Sequence, residues 1–551
     1  MKKYALGLDF GTLSVRALFV DIETGEEAAT AVYEYPHGVM TEALPDGTPL
    51  PPDFALEHPH DFLEGLEYVV PAGMRAGGIL PEQVIGIGVD ITTATVLAVD
   101  EEGTPLSDYP EFASRPEAWM KLWKHHGAMQ MAERMLEVAR ERKESWLNFY
   151  GDWLSGELFM PKAVELAVND PEVFERTHNL IEAADWIVWK LTGEVTRSAA
   201  LAGCNSLYRY DTGYPSKEYF KAVYPEAENV PDKLVGRIAP LGSCAGYLVP
   251  EMAAKLGLLV GTPVGVGMID SHSAVMGCGA SQIGDMVSTI GTSANNMLNA
   301  VEGPGIPGIY SAAPDANIPG LFGYEGGQNC VGDALAWYVD YCVPASYVEA
   351  AKAEGVNIHA YLQARAEKLK PGESGLIALD WFNGVRTPLM DFSLTSAIVG
   401  LSVRTKPEEI YRALVEAVVF GNKQIIDVYE EAGCPVNRII AAGGIPMKNS
   451  MMMQIYADVT NKDIYLCGSA QTCARGSAIL GAAAAGPEVH GCKDIYELID
   501  KLGKLSDVVY HPIPENVEKY KKIYALYKQL SHEMAKDGGV MKELLKLKNE
   551  L

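Results

Sequence analysis

The chain has 551 residues, 48% of them hydrophobic and 21% charged, which suffices for several domains of about 150 residues and is too apolar for a disordered protein. It carries 72 Asp and Glu residues against 45 Lys and Arg residues, so its formal net charge is −27. So much negative charge repels phosphate backbones and anionic lipid headgroups, and we therefore expect neither a nucleic-acid partner nor a membrane partner.

The sequence also carries little that points to a membrane or to the cell exterior. No apolar run reaches the roughly 18–20 residues that span a bilayer, and Asp9 interrupts the first apolar stretch too early for a secretory signal. The nine cysteines form no Cys-x-x-Cys pair and no Cys/His cluster with zinc spacing. Without a disulfide framework, we expect a cytoplasmic protein.

The first segment is a predicted hairpin in a chain where strands and helices alternate, a pattern that indicates the α/β class. Residues 4–10 and 15–21 are two predicted strands. Because only the turn 11–14 separates them, the two strands are expected to pair antiparallel.

The turn of this hairpin carries side chains that suit a phosphate. Gly11 lets backbone amides approach an anion with no Cβ in the way, and Thr12 and Ser14 add hydroxyl donors. Arg16 could reach a phosphate, and Asp9 could accept from the waters around Mg²⁺. The alternative is a tight hairpin with Asp9 as its cap.

Two further apolar stretches end in an aspartate. Residues 84–89 and 95–99 repeat the strand-turn-strand look, with Asp90 at the break, where it could bind ligand hydroxyls or merely begin a turn. Residues 264–269 form another predicted strand that ends at Asp270. A carboxylate at the end of a buried strand lies where open α/β sheets bind ligands, so Asp270 could act as a general base on an attacking hydroxyl.

The second half of the chain restarts the design of the first. Residues 286–298 form a strand, a turn at Gly291, Thr292 and Ser293, and a second strand. Two such turns facing each other across a cleft would hold the terminal phosphates of a nucleotide from both sides, as phosphoryl transfer requires. Neither turn matches a P-loop or a dinucleotide-binding fingerprint.

This repetition sets the predicted domain division. We place the boundary near residues 279–285, which gives domains 1–280 and 281–551. A core-facing helix is predicted over residues 407–432, with start and stop signals in the right order. Residues 515–551 are lysine-rich and amphipathic, which predicts a helix whose basic face is solvated.

A glycine pair marks the predicted nucleotide side. Gly443 and Gly444 follow the apolar run 438–442, and Asn449 or Ser450 can cap the helix that comes next. Two glycines before a helix offer a flat surface for a purine or ribose, or amides for a phosphate. An ordinary strand-to-helix turn is the equally plain alternative.

Three other sites are candidates for ligand contacts. Glu325 lies between glycines and could bind a hydroxyl, whereas His272 is better explained as an interior histidine. The basic and aromatic segment 121–126 could place Trp123, Lys124 or His126 on a polyol, or could be a solvated helix start.

Together these residues resemble the FGGY carbohydrate kinases, within the actin-like and Hsp70-like ATPase architecture, over about residues 4–487. The resemblance implies an α/β fold of two actin-like/ribonuclease H-like domains with a central cleft, ATP and Mg²⁺ as cofactors, and a free sugar as substrate. It implies the following roles: catalytic base, Asp270; metal, Asp9 and Asp270; first phosphate loop, Gly11, Thr12, Ser14 and Arg16; second phosphate loop, Gly291, Thr292 and Ser293; nucleotide, Gly443, Gly444, Lys448 and Asn449.

The stretches LWKHH, GIGVD, EAADWIV and GYEGGQ most resemble the branch of that family that acts on L-ribulose, which implies transfer of the γ-phosphate to the terminal hydroxyl of a ketopentose. That likeness implies sugar contacts from the following residues: Thr92, Thr93, Ala94, Asn205, Asp270 and Glu325. The branch usually has Lys in place of Asn205 and Ala near Thr93, so D-ribulose, xylulose and polyols stay open as substrates. A conformational ATPase and an inactive kinase are the alternative functions. The oligomeric state is left open, and a homodimer is one candidate.

Overall fold

The structure is a computed structural model, and it describes residues 1–301, 303 and 305–550. In chain order, the strands are β1 (Tyr4–Phe10), β2 (Ser14–Asp21), β3 (Glu27–Glu34), β4 (Leu56–Glu57), β5 (Val84–Ile91), β6 (Val96–Val99), β7 (Met120–Lys121), β8 (Asn179–Glu182), β9 (Thr196–Ser198), β10 (Arg237–Ala239), β11 (Cys244–Tyr247), β12 (Pro263–Gly265), β13 (Met268–Ile269), β14 (Asp285–Ile290), β15 (Ala294–Ala300), β16 (Ser311–Pro314), β17 (Phe322–Gln328), β18 (Ile377–Ala378), β19 (Ile398–Val399), β20 (Arg438–Ala442), β21 (Ile464–Cys467) and β22 (Leu505–Tyr510).

Helices alternate with these strands. They are α1 (Pro59–Gly77), α2 (Met129–Arg142), α3 (Phe159–Asn169), α4 (Pro171–Arg176), α5 (Ala183–Thr192), α6 (Ala199–Asn205), α7 (Lys217–Val223), α8 (Pro250–Leu256), α9 (Asp270–Gly277), α10 (Gly332–Tyr341), α11 (Ala345–Ala353), α12 (Ile358–Ala366), α13 (Pro407–Glu431), α14 (Ser450–Thr460), α15 (Thr472–Ala485), α16 (Pro487–His490), α17 (Ile495–Leu502), α18 (Pro514–Ala535) and α19 (Val540–Asn549). The helix predicted over 407–432 is confirmed as α13, and the predicted helical tail is confirmed as two helices, α18 and α19.

Two seven-stranded sheets follow one plan. The first has strand order β11-β12-β5-β1-β2-β3, with β13 also paired to β5, and the second has the order β16-β17-β15-β14-β20-β21-β22. In the first sheet β1 pairs antiparallel with β2 and parallel with β5, and in the second β14 pairs antiparallel with β15 and parallel with β20. The predicted hairpin is therefore confirmed, and so is the repetition of its design. We call the regions around these sheets the first and the second lobe.

The central strand β1 is buried along its whole length because helices cover both of its faces. Leu6, Leu8 and Phe10 belong to the apolar core shared with α1, whereas Ala5 belongs to the core shared with α15. Side chains alternate between the faces of a strand, so Asp9 lies on the α15 side. Strand geometry thus places this carboxylate between the sheet of the first lobe and a helix from late in the chain.

The helix α15 approaches the first sheet closely enough to require glycine. A Cβ atom at Gly88 in β5 would lie 1.8 Å from the carbonyl oxygen of Ser477, a distance that no side chain tolerates. One helix from residues 472–485 therefore packs directly on strands from the first hundred residues.

The strand-turn-strand arrangement predicted for residues 84–99 is wrong. Strand β5 belongs to the first sheet, whereas β6 belongs to a separate four-stranded sheet of order β4-β7-β6-β8. Asp90 lies inside β5, opposite Asp9 of β1, and not at a break between strands. Within the described part of the chain, none of the helices has both the length and the apolar character that crossing a bilayer requires.

Candidate active site

In both glycine turns the glycine amide donates to the carbonyl oxygen of a serine later in the turn. The Gly11 N–H donates to the Ser14 carbonyl oxygen at 2.9 Å, and the Gly291 N–H donates to the Ser293 carbonyl oxygen at 2.8 Å. The amides of both glycines are therefore used inside the turns. The next amides, at positions 12, 13, 292 and 293, make no hydrogen bond with any residue that the structure describes. These amides are the donors that the turns offer to an anion.

Acidic side chains gather at the ends of β1 and β5. Arg16 Nε lies 3.6 Å from Asp9 Oδ2, so Arg16 is directed at an acid of the site. Burial raises the pKa of Asp9, and burial together with Asp9 raises the pKa of Asp90 well above its usual range. Asp90 is fully buried and accepts a hydrogen bond from the Ser477 hydroxyl. The interpretation of Asp90 as a turn residue is therefore wrong.

Asp270 is the first residue of α9 and directly follows β13. The Ser271 amide donates to Asp270 Oδ1 at 2.6 Å, and the carboxylate has no other hydrogen bond within the described residues. Burial and the Asp9 carboxylate raise the pKa of Asp270 to about 7. A carboxyl group with a pKa near neutrality is suited to take a proton from an alcohol at neutral pH.

A cavity of about 260 Å³, which we call the acid cavity, joins residues from both lobes. It is lined by Thr12, Thr92, Thr93, Trp123, Glu157, Asp270, Ser271, Ser293, Asn295, Tyr310, Glu325 and Arg386. Thr12 comes from the first glycine turn and Ser293 from the second, and Asp270 lines the same space. Five of the residues predicted for sugar or phosphate contact thus meet Asp270 in one space. Ser14 and Arg16 are not among the lining residues.

Glu325 is held in the cavity wall by His272. Glu325 lies in β17 and its Oε2 is 3.2 Å from His272 Nε2, while His272 Nδ1 is 2.9 Å from the Ala316 carbonyl oxygen. Burial opposes protonation of His272, but the Glu325 carboxylate raises its pKa. Both ring nitrogens are partnered in the interior, as predicted for His272.

The turn after β5 is supported from behind by a buried chain of hydrogen bonds. The Thr93 hydroxyl donates to Asn205 Oδ1 at 3.0 Å, and Asn205 Nδ2 donates to Glu182 Oε1 at 3.0 Å. Asn205 is 1% exposed and does not line the acid cavity, so it meets the cavity only through Thr93. Ala94 is also buried, and its carbonyl oxygen accepts from Lys162 Nζ at 2.7 Å.

The segment 121–126 is divided between the cavity and the interior. Trp123 lines the acid cavity, and its indole N–H donates to Thr12 Oγ1 at 3.2 Å. Lys121 and His125 are buried, and each contacts Glu165, at 2.6 Å and 2.7 Å. The alternative of a solvated helix start is therefore wrong for these two residues.

Sequence reasoning missed five residues of the cavity wall: Glu157, Ser271, Asn295, Tyr310 and Arg386. Glu157, Tyr310 and Arg386 lie in irregular segments far apart in the chain, whereas Ser271 and Asn295 lie within two residues of the predicted residues Asp270 and Ser293. For Glu157, Tyr310 and Arg386, only proximity in the folded chain marks the site.

Two further cavities surround the predicted nucleotide residues. A cavity of about 610 Å³ is lined by Gly443, Gly444, Thr289, Met447 and Lys504 among others, and one of about 360 Å³ is lined by Lys448, Asn449, Gly332, Leu335 and Ile445 among others.

The second glycine turn connects these spaces. The Gly332 N–H donates to the Gly291 carbonyl oxygen at 3.0 Å, so the turn that reaches the acid cavity also touches the cavity of Asn449. A Cβ at Gly444 would meet no atom within 4 Å, which leaves open space beside the glycine pair. Asn449 caps α14 by accepting from the Met452 amide at 2.9 Å, as predicted.

Comparison with known proteins identifies the family. The N-terminal domain of the FGGY family of carbohydrate kinases matches residues 4–277, and the C-terminal domain of that family matches residues 286–485. The ribulokinases of Anoxybacillus flavithermus and Geobacillus thermodenitrificans are each 46% identical over 546 residues, which is 98% of this chain and 97% of each relative.

A solved structure supports the same fold. The xylulose kinase of Rhodospirillum rubrum superposes with a TM-score of 0.78 at 22% identity, over 96% of this chain and 98% of that one. The predicted α/β fold of two actin-like/ribonuclease H-like domains is thereby confirmed. The chain belongs to the FGGY family of carbohydrate kinases, a family of ATP-dependent sugar kinases.

Proposed function

We propose that this kinase transfers the γ-phosphate of ATP to the terminal hydroxyl of L-ribulose. The observation that carries the proposal is the acid cavity, where Asp270 shares one space with Thr12 and Ser293 of the two glycine turns. A phosphate held by the turns and an alcohol beside Asp270 would meet there. The ribulokinase names of relatives 46% identical over nearly the full length favour L-ribulose as the sugar.

In the proposed reaction Asp270 takes the proton of the attacking hydroxyl. Its pKa of about 7 leaves a substantial fraction of the carboxylate ionised at neutral pH. The amides that follow Gly11 and Gly291 donate to the phosphates from opposite lobes. Because the lobes surround the cavity, the sugar and not water is the expected acceptor.

Mg²⁺ is the proposed metal, with Asp9 and Asp270 as its protein carboxylates. The donor set fits, because the Asp9 carboxylate raises the pKa of Asp270, and among the described residues Arg16 is the one basic side chain that forms an ion pair with Asp9. Mg²⁺ prefers one or two carboxylates together with phosphates and water. When bound, the ion would neutralise charge on the transferring phosphoryl group.

We assign Gly443, Gly444, Lys448 and Asn449 to the nucleoside side, because they border the two cavities next to the second turn. We further propose a division near residue 280, since the strands of the first sheet end at Ile269 and those of the second begin at Asp285. A cytoplasmic location fits the nine free cysteines.

A coupled assay of ADP release with a panel of sugars tests the substrate. We expect the highest kcat/KM with L-ribulose, lower values with D-ribulose, the xyluloses and pentitols, and little ADP release without sugar. A basal rate that no sugar changes would instead indicate a conformational ATPase. A higher kcat/KM with another ketose would replace L-ribulose and would direct attention to Thr93 and Asn205.

A further inference from the structure

Arg386 extends into the acid cavity from the segment between β18 and β19. It lines this cavity together with Asp270 and Glu325. Its side chain crosses strand β17 at Gly327, where a Cβ atom would lie only 2.4 Å from Arg386 Cδ. The absence of a side chain at position 327 therefore opens the path by which the guanidinium reaches the site.

The guanidinium is held loosely by two neighbouring residues that also line the cavity. Arg386 Nη2 lies 3.8 Å from Glu157 Oε2, which is an ion-pair distance and too long for a hydrogen bond. The guanidinium carbon lies 4.9 Å from the centre of the Tyr310 ring. Arg386 Nε is buried and has no hydrogen-bond partner among the described residues. The guanidinium is oriented, but Nε makes no hydrogen bond among the described residues and Nη2 lies too far from Glu157 for one.

Glu157 is itself held by two other side chains. Its Oε1 lies 3.0 Å from His126 Nε2, and its Oε2 lies 3.5 Å from the Tyr310 hydroxyl. Burial works in the opposite direction, but His126 and Arg386 lower the pKa of Glu157, so the carboxylate is ionised at neutral pH. An anchored anion is suited to orient a cation that must keep its own donors available.

The chemistry of the cavity calls for such a donor. Asp270, Glu325 and Glu157 supply carboxylate oxygens that accept hydrogen bonds, while the ketone oxygen of a ketose can only accept them. Among the described residues that line the acid cavity, Arg386 is the only lysine or arginine. Its planar fork can donate to two neighbouring oxygens at once.

We propose that Arg386 is a sugar-binding residue that donates to the ketone oxygen and an adjacent hydroxyl oxygen of the substrate, and that Glu157 is the positioning residue that aims it. Glu157 lies within the stretch matched by the N-terminal family domain and Arg386 within the stretch matched by the C-terminal one. The sugar thereby links the two lobes before phosphate transfer. The inference rests on the proposed function and names a specificity determinant of that same site.

The test compares Arg386→Gln, Arg386→Lys and Glu157→Gln with the wild-type kinase, by calorimetric titration of L-ribulose without nucleotide and by steady-state kinetics. We expect Arg386→Gln to weaken sugar binding and raise the KM for sugar about 10- to 100-fold, with the KM for ATP nearly unchanged. Arg386→Lys should restore part of the affinity. Arg404→Gln, at an exposed arginine of the same lobe, is the matched control and should change nothing.

Glu157→Gln should weaken sugar binding less than Arg386→Gln, and the double variant should equal Arg386→Gln alone, because Glu157 acts through Arg386. Unchanged sugar affinity in Arg386→Gln would overturn the inference, and so would equal losses of ATP and sugar affinity, which indicate a packing role. If Arg386→Gln does not fold, Glu157→Gln decides by the same readouts. If the wild-type kinase neither binds nor phosphorylates any ketopentose, the proposed function fails instead.

Discussion

The two lobes share a backbone plan but differ in charge at the same positions. In the first sheet Asp9 lies opposite Asp90, and in the second sheet Thr289 lies opposite Ala442. Both Asp9 and Thr289 come two residues before the glycine of their turn. One lobe therefore presents carboxylates where the other presents a hydroxyl and a methyl group. A duplicated hairpin becomes an asymmetric site when one copy carries the acid chemistry and the other offers a neutral surface to a polyanion.

Removing the base should break this asymmetry most severely. We expect Asp270→Asn to lower kcat by about 10²- to 10⁴-fold, the usual size of general-base catalysis, because the amide cannot accept the proton. ATP should still bind, since the phosphate donors are elsewhere. Coupled ADP release measures the rate, and titration with ATP is the control. Near-normal turnover would exclude Asp270 from the proposed mechanism.

Placing an aspartate in the second lobe at the position that matches Asp9 should weaken the binding of ATP. Thr289 lines the larger of the two cavities that we assign to the nucleoside, so in the proposed site Thr289→Asp would bring a negative charge near the phosphates. We expect the KM for ATP to rise about 10- to 100-fold from repulsion in a partly buried space. Thr289→Asn, similar in size to the aspartate and uncharged, is the matched control. Equal effects of both variants would mean that shape, and not charge, matters at this position.

The same asymmetry predicts a pH dependence that belongs to the first lobe. Because the pKa of Asp270 is raised to about 7, its carboxylate is protonated as the pH falls below that value. The kcat/KM for sugar should therefore fall towards tenfold per pH unit below about pH 7, and it should level off above. A profile flat from pH 5.5 to 8 would contradict this assignment. In Asp270→Asn the limb should disappear from the residual activity.

Much of the fold could be predicted from the sequence because it depends on short-range patterns of residues. The hairpin at residues 4–21, its repeat near residue 290 and the helix α13 each follow from short-range patterns, and the structure confirms them. The pairing of β5 with β1, and not with β6, could not be predicted. It depends on the helices that cover β1, and these come from distant parts of the chain.

The residues of the candidate site also divide into those with a local sequence signal and those without one. Asp270, Thr12 and Glu325 carry local signals, a strand end or a glycine neighbour, and all three line the acid cavity. Arg386 and Tyr310 lie there only because loops converge, which no local pattern records. Asn205 shows the converse, since the likeness to relatives marks the position while the structure puts one threonine between it and the cavity.

The close packing of α15 on β5 also constrains when the first lobe can be completed. The sheet face at Gly88 stays uncovered until Ser477 has been synthesised, almost four hundred residues later. At about 5–20 residues per second, this interval is roughly 20–80 s, during which an apolar surface is open to chaperones or to other chains. The first lobe must therefore remain incompletely folded without aggregating for most of the time that the chain is being synthesised.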